Sequence, residues 1–241
     1  MLRIKRLLII TVVTVTAFAV MVLGVYKFGR SIWHPVLLKS TGARANIEVI
    51  ESIQAKKTYL TAFSAGKELT ILVFKSSKLM EVFYDNRLIM TVSILAASGK
   101  EGPKIKEGDS QVPEGIYKID VLNPNSSYYL SMRISYPNEM DRKRSKARGL
   151  TELGGDIYIH GKAASIGCIA IGDDKIEDLY FLANLAGLKN TKVVIAPSLK
   201  VDYEKINDNE IKQLYKSVYA QIDLIKSGSH TNLLERASPA R

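Results

Sequence analysis

A single cysteine, Cys168, follows the histidine His160 by eight residues in the stretch IYIHGKAASIGCIAI, residues 157–171. A thiol becomes an effective nucleophile when a neighbouring imidazole removes its proton, and the imidazole must itself be oriented by a third group. These two side chains therefore form a candidate nucleophile and general base. The same spacing also fits a packed cysteine beside a structural histidine, so spacing alone leaves both interpretations open.

Strand-like segments flank the pair and would have to position it. The run YIH ends one apolar segment and CIAI begins another, with the small-residue connection GKAASIG between them. If the two strands lie side by side, His160 and Cys168 meet at one end of a sheet. Gly161 and Gly167 leave the backbone open to close approach, and amides near Gly167 and Cys168 could then donate to a developing oxyanion.

The rest of the chain predicts an α+β fold that is mainly β, built on an antiparallel sheet or sandwich. β-Branched and aromatic residues cluster in short segments separated by turn residues. A helix is predicted over 172–188, and an amphipathic helix over 211–225. The predicted strands are 68–75, 79–85, 88–98, 116–121, 128–136, 156–160 and 192–196.

The N-terminus predicts a membrane anchor. Basic residues precede an uncharged apolar run from Leu7 to Val25, whose helical length of roughly 28 Å suits the hydrocarbon core of a bilayer. The short basic tail indicates that the chain beyond the run lies outside the cytoplasm. A signal peptide cleaved after residue 19 is the alternative, because AFA at 17–19 has the small-x-small form, and it would give a secreted protein.

Four regions follow from this organisation. A cytoplasmic tail and anchor occupies 1–26, a juxtamembrane linker 27–65, a β-rich domain with the candidate site 66–200, and an amphipathic helix with a loose tail 201–241. The lone cysteine of an exported chain has no partner for an internal disulfide, so it is either inert or reactive.

Composition limits the classes of partner. Hydrophobic residues make up 46% of the chain, enough for a packed core, and the formal charge of +10 favours anionic surroundings. The export signal and the lack of a basic platform interleaved with aromatic residues argue against nucleic acid. The sequence contains neither a Cys/His cluster typical of zinc nor a glycine-rich phosphate loop, so no metal and no cofactor are predicted.

Three sequence blocks together resemble one family. HGKAASIGC resembles the HG and SxGC signature of the murein L,D-transpeptidases, the YkuD-type catalytic domain, in the compact form of the YafK-like subgroup. SGKEGPKIKEGDSQVPEGIY (98–117) and NPNSSYYLSMRISYPNEMDR (123–142) resemble two further blocks of that subgroup. The resemblance spans roughly 98–185 and leaves the first 65 residues and the tail outside it.

The resemblance implies an L,D-transpeptidase-type β-sandwich with a few packed helices, in a bacterial cell envelope, with the catalytic domain in the periplasm and held at the inner membrane. It implies acyl transfer on peptidoglycan stem peptides through a thioester, without metal or cofactor. Cys168 would be the nucleophile and His160 the general base and acid. The Gly161 carbonyl would orient the imidazole, and the Gly167 amide would donate to the oxyanion.

Two positions depart from the broad family, which usually has a histidine before the glycine and an arginine two residues after the cysteine. These positions are Ile166 and Ala170 here. The YafK-like subgroup shares both departures and includes a hydrolase that releases wall-bound lipoprotein. A transpeptidase that crosslinks stems or attaches proteins, a hydrolase with a lipoprotein partner, and a non-catalytic wall-binding module therefore all remain open.

Four further residues are predicted to bind substrate. Ser165 lies near the thiol in sequence, and Arg142 could bind stem carboxylates in place of the missing arginine. Asp109 and Gln111 belong to a loop that matches a block of the subgroup, which places them as lining of a substrate groove.

Overall fold

The computed structural model describes residues 45–98 and 102–237, the side chains as far as residue 229, and the four helical residues Thr14, Thr16, Phe18 and Met21. The chain divides after Thr41, and the unit Gly42–Arg241 contains every element discussed below. The predicted anchor, residues 1–26, lies outside the described ranges apart from those four residues. Within the described ranges, no helix combines the length and apolarity needed to cross a bilayer.

One mixed sheet of nine strands forms the body of the protein. Its spatial order is β3-β2-β1-β9-β5-β6-β7-β8-β4, with β1–β9 and β7–β8 parallel and the other neighbours antiparallel. The strands are β1 (Leu69–Phe74), β2 (Leu79–Tyr84), β3 (Arg87–Ser93), β4 (Ala96–Ala97), β5 (Gly115–Ser126), β6 (Tyr129–Ile134), β7 (Tyr158–His160), β8 (Ile169–Ala170) and β9 (Thr191–Ala196).

Strand β5 joins the two halves of this sheet. Its first residues, Gly115–Lys118, pair with β9, and its later residues pair with β6 across register shifts after Ile119 and after Asn123. Such shifts bend a strand and increase its twist, which curls the sheet. The predicted mainly β, α+β class is confirmed. The sequence predicted an antiparallel sheet or a sandwich, and the described residues form one mixed, curled sheet whose two halves share β5.

Among the described residues of the unit Gly42–Arg241, four α-helices accompany the sheet. They are α1 (residues 45–56), α2 (Glu139–Ala147), α3 (Asp173–Ala186) and α4 (Asn209–Ala237). Helix α2 begins with a capping box in which Asn138 and Asp141 exchange side-chain and backbone hydrogen bonds. Helix α4 packs Val218 and Ile222 on a second apolar cluster formed by β1, β2 and β9. The helices predicted near 172–188 and 211–225 are thus present.

The main core defines which face of the sheet is left for the site. Ile157, Ile159, Ile169 and Ile171 are buried in that core. Because side chains alternate between the two faces of a strand, the neighbouring residues of β7 and β8 point to the opposite face. That face carries Tyr158, His160, Cys168 and Ala170.

Candidate active site

Strands β7 and β8 are parallel neighbours in the sheet. β7 ends at the predicted base His160, and the predicted nucleophile Cys168 directly precedes β8. Ile159 is in register with Ile169, and His160 with Ala170, so Cys168 lies alongside Tyr158 directly before β8 begins. His160 is two residues further along the same face of β7. The sheet register thus brings His160 and Cys168 to neighbouring positions on one face.

The imidazole of His160 is buried and held in one tautomer. Its Nδ1 lies 2.6 Å from the Gly161 carbonyl oxygen. A carbonyl oxygen only accepts hydrogen bonds, so Nδ1 carries the proton and Nε2 is left as the basic nitrogen. The ring is 2% exposed and packs on Tyr128 at 4.6 Å between ring centroids. Burial lowers the pKa of His160, and the Gly161 hydrogen bond only partly offsets that effect.

Gly161 can hold the imidazole only because it has no side chain. A Cβ at this position would lie 2.6 Å from Asp173 Oδ1 and 2.8 Å from the Tyr128 carbonyl oxygen. Asp173 is fixed there because its carboxylate accepts hydrogen bonds from the Lys162 backbone and ammonium. The glycine is therefore required by close approach of α3 and of the residue before β6.

The thiol of Cys168 is held by the backbone that leads into β7. Its Sγ accepts a hydrogen bond from Tyr158 N–H at 3.4 Å and donates to the Asp156 carbonyl oxygen at 3.7 Å. Burial raises the pKa of Cys168; the Asp156 charge raises it further, while the Tyr158 amide and Lys104 act in the opposite sense. Thiol and imidazole are both neutral at pH 7. The arrangement suits a base that removes the thiol proton during attack rather than a preformed thiolate–imidazolium pair.

We expect alkylation of Cys168 by iodoacetamide to rise with pH through a midpoint above 9.0, the ordinary pKa of the thiol, because burial disfavours the thiolate. Rates of adduct formation between pH 6 and 11, followed by intact mass, test this, since the chain has one cysteine. The chain unfolded in denaturant serves as the control and titrates at the ordinary value. A folded midpoint in the range of activated cysteines, below about 7.5, would contradict the neutral pair.

Two serine hydroxyls bind the amides around the nucleophile. Gly167, with φ +86°, donates its N–H to Ser98 Oγ, and Ser98 Oγ donates to the Ser110 carbonyl oxygen at 2.8 Å. Cys168 N–H donates to Ser165 Oγ at 2.9 Å. Ser165, predicted to bind substrate, therefore closes the turn at the thiol. For the Gly167 amide to act as the predicted oxyanion donor, it must exchange Ser98 for the substrate oxygen.

The loop 102–114 lies against this turn. The Gln111 carbonyl oxygen is 3.7 Å from the position that a Cβ of Gly167 would occupy, so Gln111 adjoins the site. Its side-chain oxygen is buried and has no hydrogen-bond partner among the described residues. Asp109 instead stabilises the loop, because its carboxylate accepts from Lys104 Nζ and from the amides of Ile105, Lys106 and Gln111.

The structure places Arg142 on another element. It is exposed on α2 and donates to the Pro137 carbonyl oxygen at 2.5 Å. Arg144, on the same helix, pairs with buried Asp141. Among the described residues, neither arginine contacts His160 or Cys168. The role of Arg142 in binding substrate stays a prediction, and its contact with Pro137 does not support that role.

Three groups around the site were not singled out from the sequence. The Tyr128 ring, on a residue that is 46% exposed, covers the imidazole. Ser98 opens a block that resembles the family, which is the signal that could have marked it. Asp156 carries no sequence signal of its own. Among the residues the structure describes, no group of His, Cys, Asp and Glu side chains is arranged to hold a metal ion.

Comparisons with known proteins give several relatives of this chain. The YafK protein of Escherichia coli (strain K12) is 32% identical over 121 residues, which are 48% of this chain and 47% of YafK, so the match spans about half the length of that relative. The helical cell shape determining protein Pgp2 from Campylobacter jejuni is 24% identical, with 61% of this chain and 56% of that chain covered and a TM-score of 0.44.

The structure of Bdellovibrio bacteriovorus Bd1075 is 22% identical, with 68% of this chain and 57% of that chain covered and a TM-score of 0.41. The family profile of the L,D-transpeptidase catalytic domain, YkuD, matches residues 68–195, which is just over half of this chain and includes both strands of the His160–Cys168 site. On that match the chain belongs to the YkuD L,D-transpeptidase family, as a YafK-like member.

Proposed function

We propose that this protein acts on peptidoglycan stem peptides as a cysteine acyl-transfer enzyme, an L,D-transpeptidase that works through a thioester. One observation carries the proposal. Cys168 lies directly before the strand next to β7, alongside Tyr158 and two residues from His160 on the same face. The Nδ1 of His160 is bonded to the Gly161 carbonyl, so Nε2 is the free base. A half-buried thiol beside an oriented imidazole and nearby backbone amides supplies the parts that acyl transfer needs.

The reaction would proceed in two halves. Cys168 Sγ attacks the carbonyl carbon of the amide between an L-centre and a D-centre, typically diaminopimelate and D-alanine, while His160 Nε2 takes the thiol proton. The Gly167 amide, released from Ser98, stabilises the oxyanion. The C–N bond breaks as Nε2 returns the proton to the leaving amine, and a thioester remains. An acceptor amine then attacks the thioester, which restores the thiol and forms the new amide.

Hydrolysis of the thioester is the second candidate. The arginine that the broad family has two residues after the cysteine is Ala170 here, in register with His160 on the same face of the sheet. The donor site therefore lacks the usual cation at that position. Water in place of an amine would make the enzyme a hydrolase of diaminopimelate-linked bonds, such as the bond to a wall-attached lipoprotein.

The location of the enzyme is part of the proposal. The apolar run from Leu7 to Val25 would hold the chain at the inner membrane and leave the catalytic domain in the periplasm, where stem peptides are found. Cleavage after residue 19 would instead release the domain. The net charge of +10 suits anionic envelope surroundings in either case.

The test is mass spectrometry of the products formed by the full chain in mild detergent. Defined tetrapeptide stems, a 3–3 crosslinked dimer and a lipoprotein-linked stem are supplied in separate reactions, with a Cys168→Ala chain run in parallel. New crosslinks or exchange of the terminal D-amino acid support the transpeptidase. Cleavage of the dimer or of the lipoprotein bond supports the hydrolase. Tight binding with neither turnover nor a thioester adduct would overturn both in favour of a wall-binding module.

A further inference from the structure

Arg133 lies on the face of the sheet that carries the thiol. Its neighbours on β6, Met132 and Ile134, are buried in the main core, so Arg133 points to the opposite face. In the sheet it is in register with Tyr158 of β7, the residue alongside Cys168. The guanidinium therefore belongs to the same row of side chains as the nucleophile.

Two carboxylates hold this guanidinium. Arg133 Nε and Nη2 donate to the two oxygens of Asp120, on β5, at 2.9 and 3.0 Å. Arg133 Nη1 lies 3.9 Å from Asp156 Oδ1, in the segment that leads into β7. The Arg133 side chain is 15% exposed, so the pairing with Asp120 is a partly desolvated, bidentate one. Two of its N–H groups thus bind Asp120, and its charge also lies within ion-pair distance of Asp156.

The partner Asp156 begins the segment that holds the thiol. Its backbone carbonyl accepts the Cys168 S–H, and the amide of Tyr158, two residues later, donates to the same sulfur. Asp156 adopts φ +55°, a left-handed conformation that Asp and Asn accept more readily than most residues. A bend of this kind persists when the surrounding contacts fix it.

We propose that Arg133 is a positioning residue for the nucleophile. By pairing with Asp120 and Asp156, it fixes the 156–158 segment that hydrogen-bonds to the Cys168 thiol, and it offsets the negative charge of Asp156. A cation on β6 thus supports the nucleophile from a strand that the Cys168 motif does not include. This inference rests on the proposed role of Cys168 as the nucleophile.

Two charged side chains act directly on the ionisation of the thiol. Asp156 disfavours the thiolate and Lys104 favours it. Arg133 opposes the effect of Asp156 by pairing with it. The charged or titratable groups on the described elements around Cys168 are His160 and Tyr158 on β7, Arg133 on β6 with its partner Asp120 on β5, Asp156 before β7, and Lys104 in the loop 102–114.

The test is the rate of Cys168 alkylation in the full chain. Iodoacetamide is neutral, so the loss of a protein charge does not change its attraction to the site. Arg133→Gln is expected to move the alkylation midpoint upward by about 0.5–1 pH unit, which slows the reaction roughly 3- to 10-fold at about pH 8. Arg133→Lys keeps the charge and is expected to recover most of the rate. Lys146→Gln removes the same charge at an exposed residue of α2 and is the matched control. It should leave the alkylation midpoint within about 0.2 pH unit of the wild-type value.

Asp156→Asn provides an independent variant, because Asn tolerates the left-handed conformation while the charge is removed. Asp156→Asn is expected to move the alkylation midpoint downward. When Arg133→Gln is added to a chain that already carries Asp156→Asn, it should slow alkylation less than about 2-fold. The proposal is overturned if Asp156→Asn leaves the midpoint in place, or if folded Arg133→Gln alkylates at the wild-type rate. Neither alkylation measurement uses a substrate, so either of these results would leave the proposed acyl transfer standing. Conversely, an absence of turnover in the muropeptide assay would not by itself contradict the role of Arg133.

Discussion

Replacing His160 by Gln is expected to slow thioester formation by about 10²- to 10⁴-fold at neutral pH. The reason is that the Cys168 thiol is neutral at that pH and depends on Nε2 of the imidazole to remove its proton. The measurement is the rate at which a tetrapeptide donor adds to Cys168, followed by rapid quenching and intact mass. If the proposed chemistry holds, this change has the largest effect on activity of any that retains the thiol.

The control for this prediction separates loss of the base from loss of the fold. His160 is buried, so the thermal unfolding temperature of the variant must be measured alongside its activity. At a pH above the thiol midpoint, the thiolate forms without a base, and alkylation of His160→Gln and of the wild type should then agree within a few-fold. Equal donor acylation by the two folded proteins at neutral pH would remove His160 from the mechanism.

Local sequence predicted the two central residues of the site because the strands that carry them are close in sequence. The runs before His160 and after Cys168 are apolar and β-branched, and a short connection between two such runs favours adjacent strands. The groups that hold the thiol and its neighbouring amides are harder to foresee. Ser98 binds Gly167 across 69 residues of sequence, and the pairing of Arg133 with Asp120 depends on the register of β5 and β6.

Most strands could be predicted from local sequence, but their order in the sheet could not. Period-two patterns identify strands one at a time, but nothing in β9 indicates that it lies between β1 and β5. The region 27–65 was predicted as a linker. Its residues 45–56 form an α-helix and Thr58–Ala62 a 3₁₀-helix, with Ile53 and Leu60 buried in the main core. Isolated apolar residues among many polar ones predict a helix without showing what it packs against.

Lys57 is the residue that ties this N-terminal segment to the catalytic domain. Its ammonium lies 2.6 Å from Asp174 Oδ1, 2.8 Å from Asp178 Oδ1 and 3.6 Å from Glu177 Oε2, all on α3. Glu177 also accepts from the Tyr129 hydroxyl, next to the tyrosine that covers His160. Burial alone would lower the pKa of Lys57, but the hydrogen bonds to Asp174 and Asp178 raise it overall. The lysine is therefore charged at neutral pH.

Replacing Lys57 by Met is expected to lower the free energy of unfolding by about 3–5 kcal/mol, because it removes the buried cation of Glu177 and Asp178 and leaves these buried carboxylates only the more exposed lysines Lys56 and Lys175 as ion-pair partners. Thermal unfolding of the full chain in detergent should show a fall of roughly 6–20 °C. Lys56→Met is the matched control: Lys56 is 59% exposed and its pair with Glu177, at 3.5 Å, is expected to contribute at most about 1 kcal/mol. Equal losses from the two variants would contradict a buried role for Lys57. The hydrogen bond from Lys57 lowers the pKa of Asp174 below 3.8, so the part of the Lys57→Met deficit that comes from Asp174 should be lost as the pH falls below that value and the Asp174 carboxyl becomes protonated.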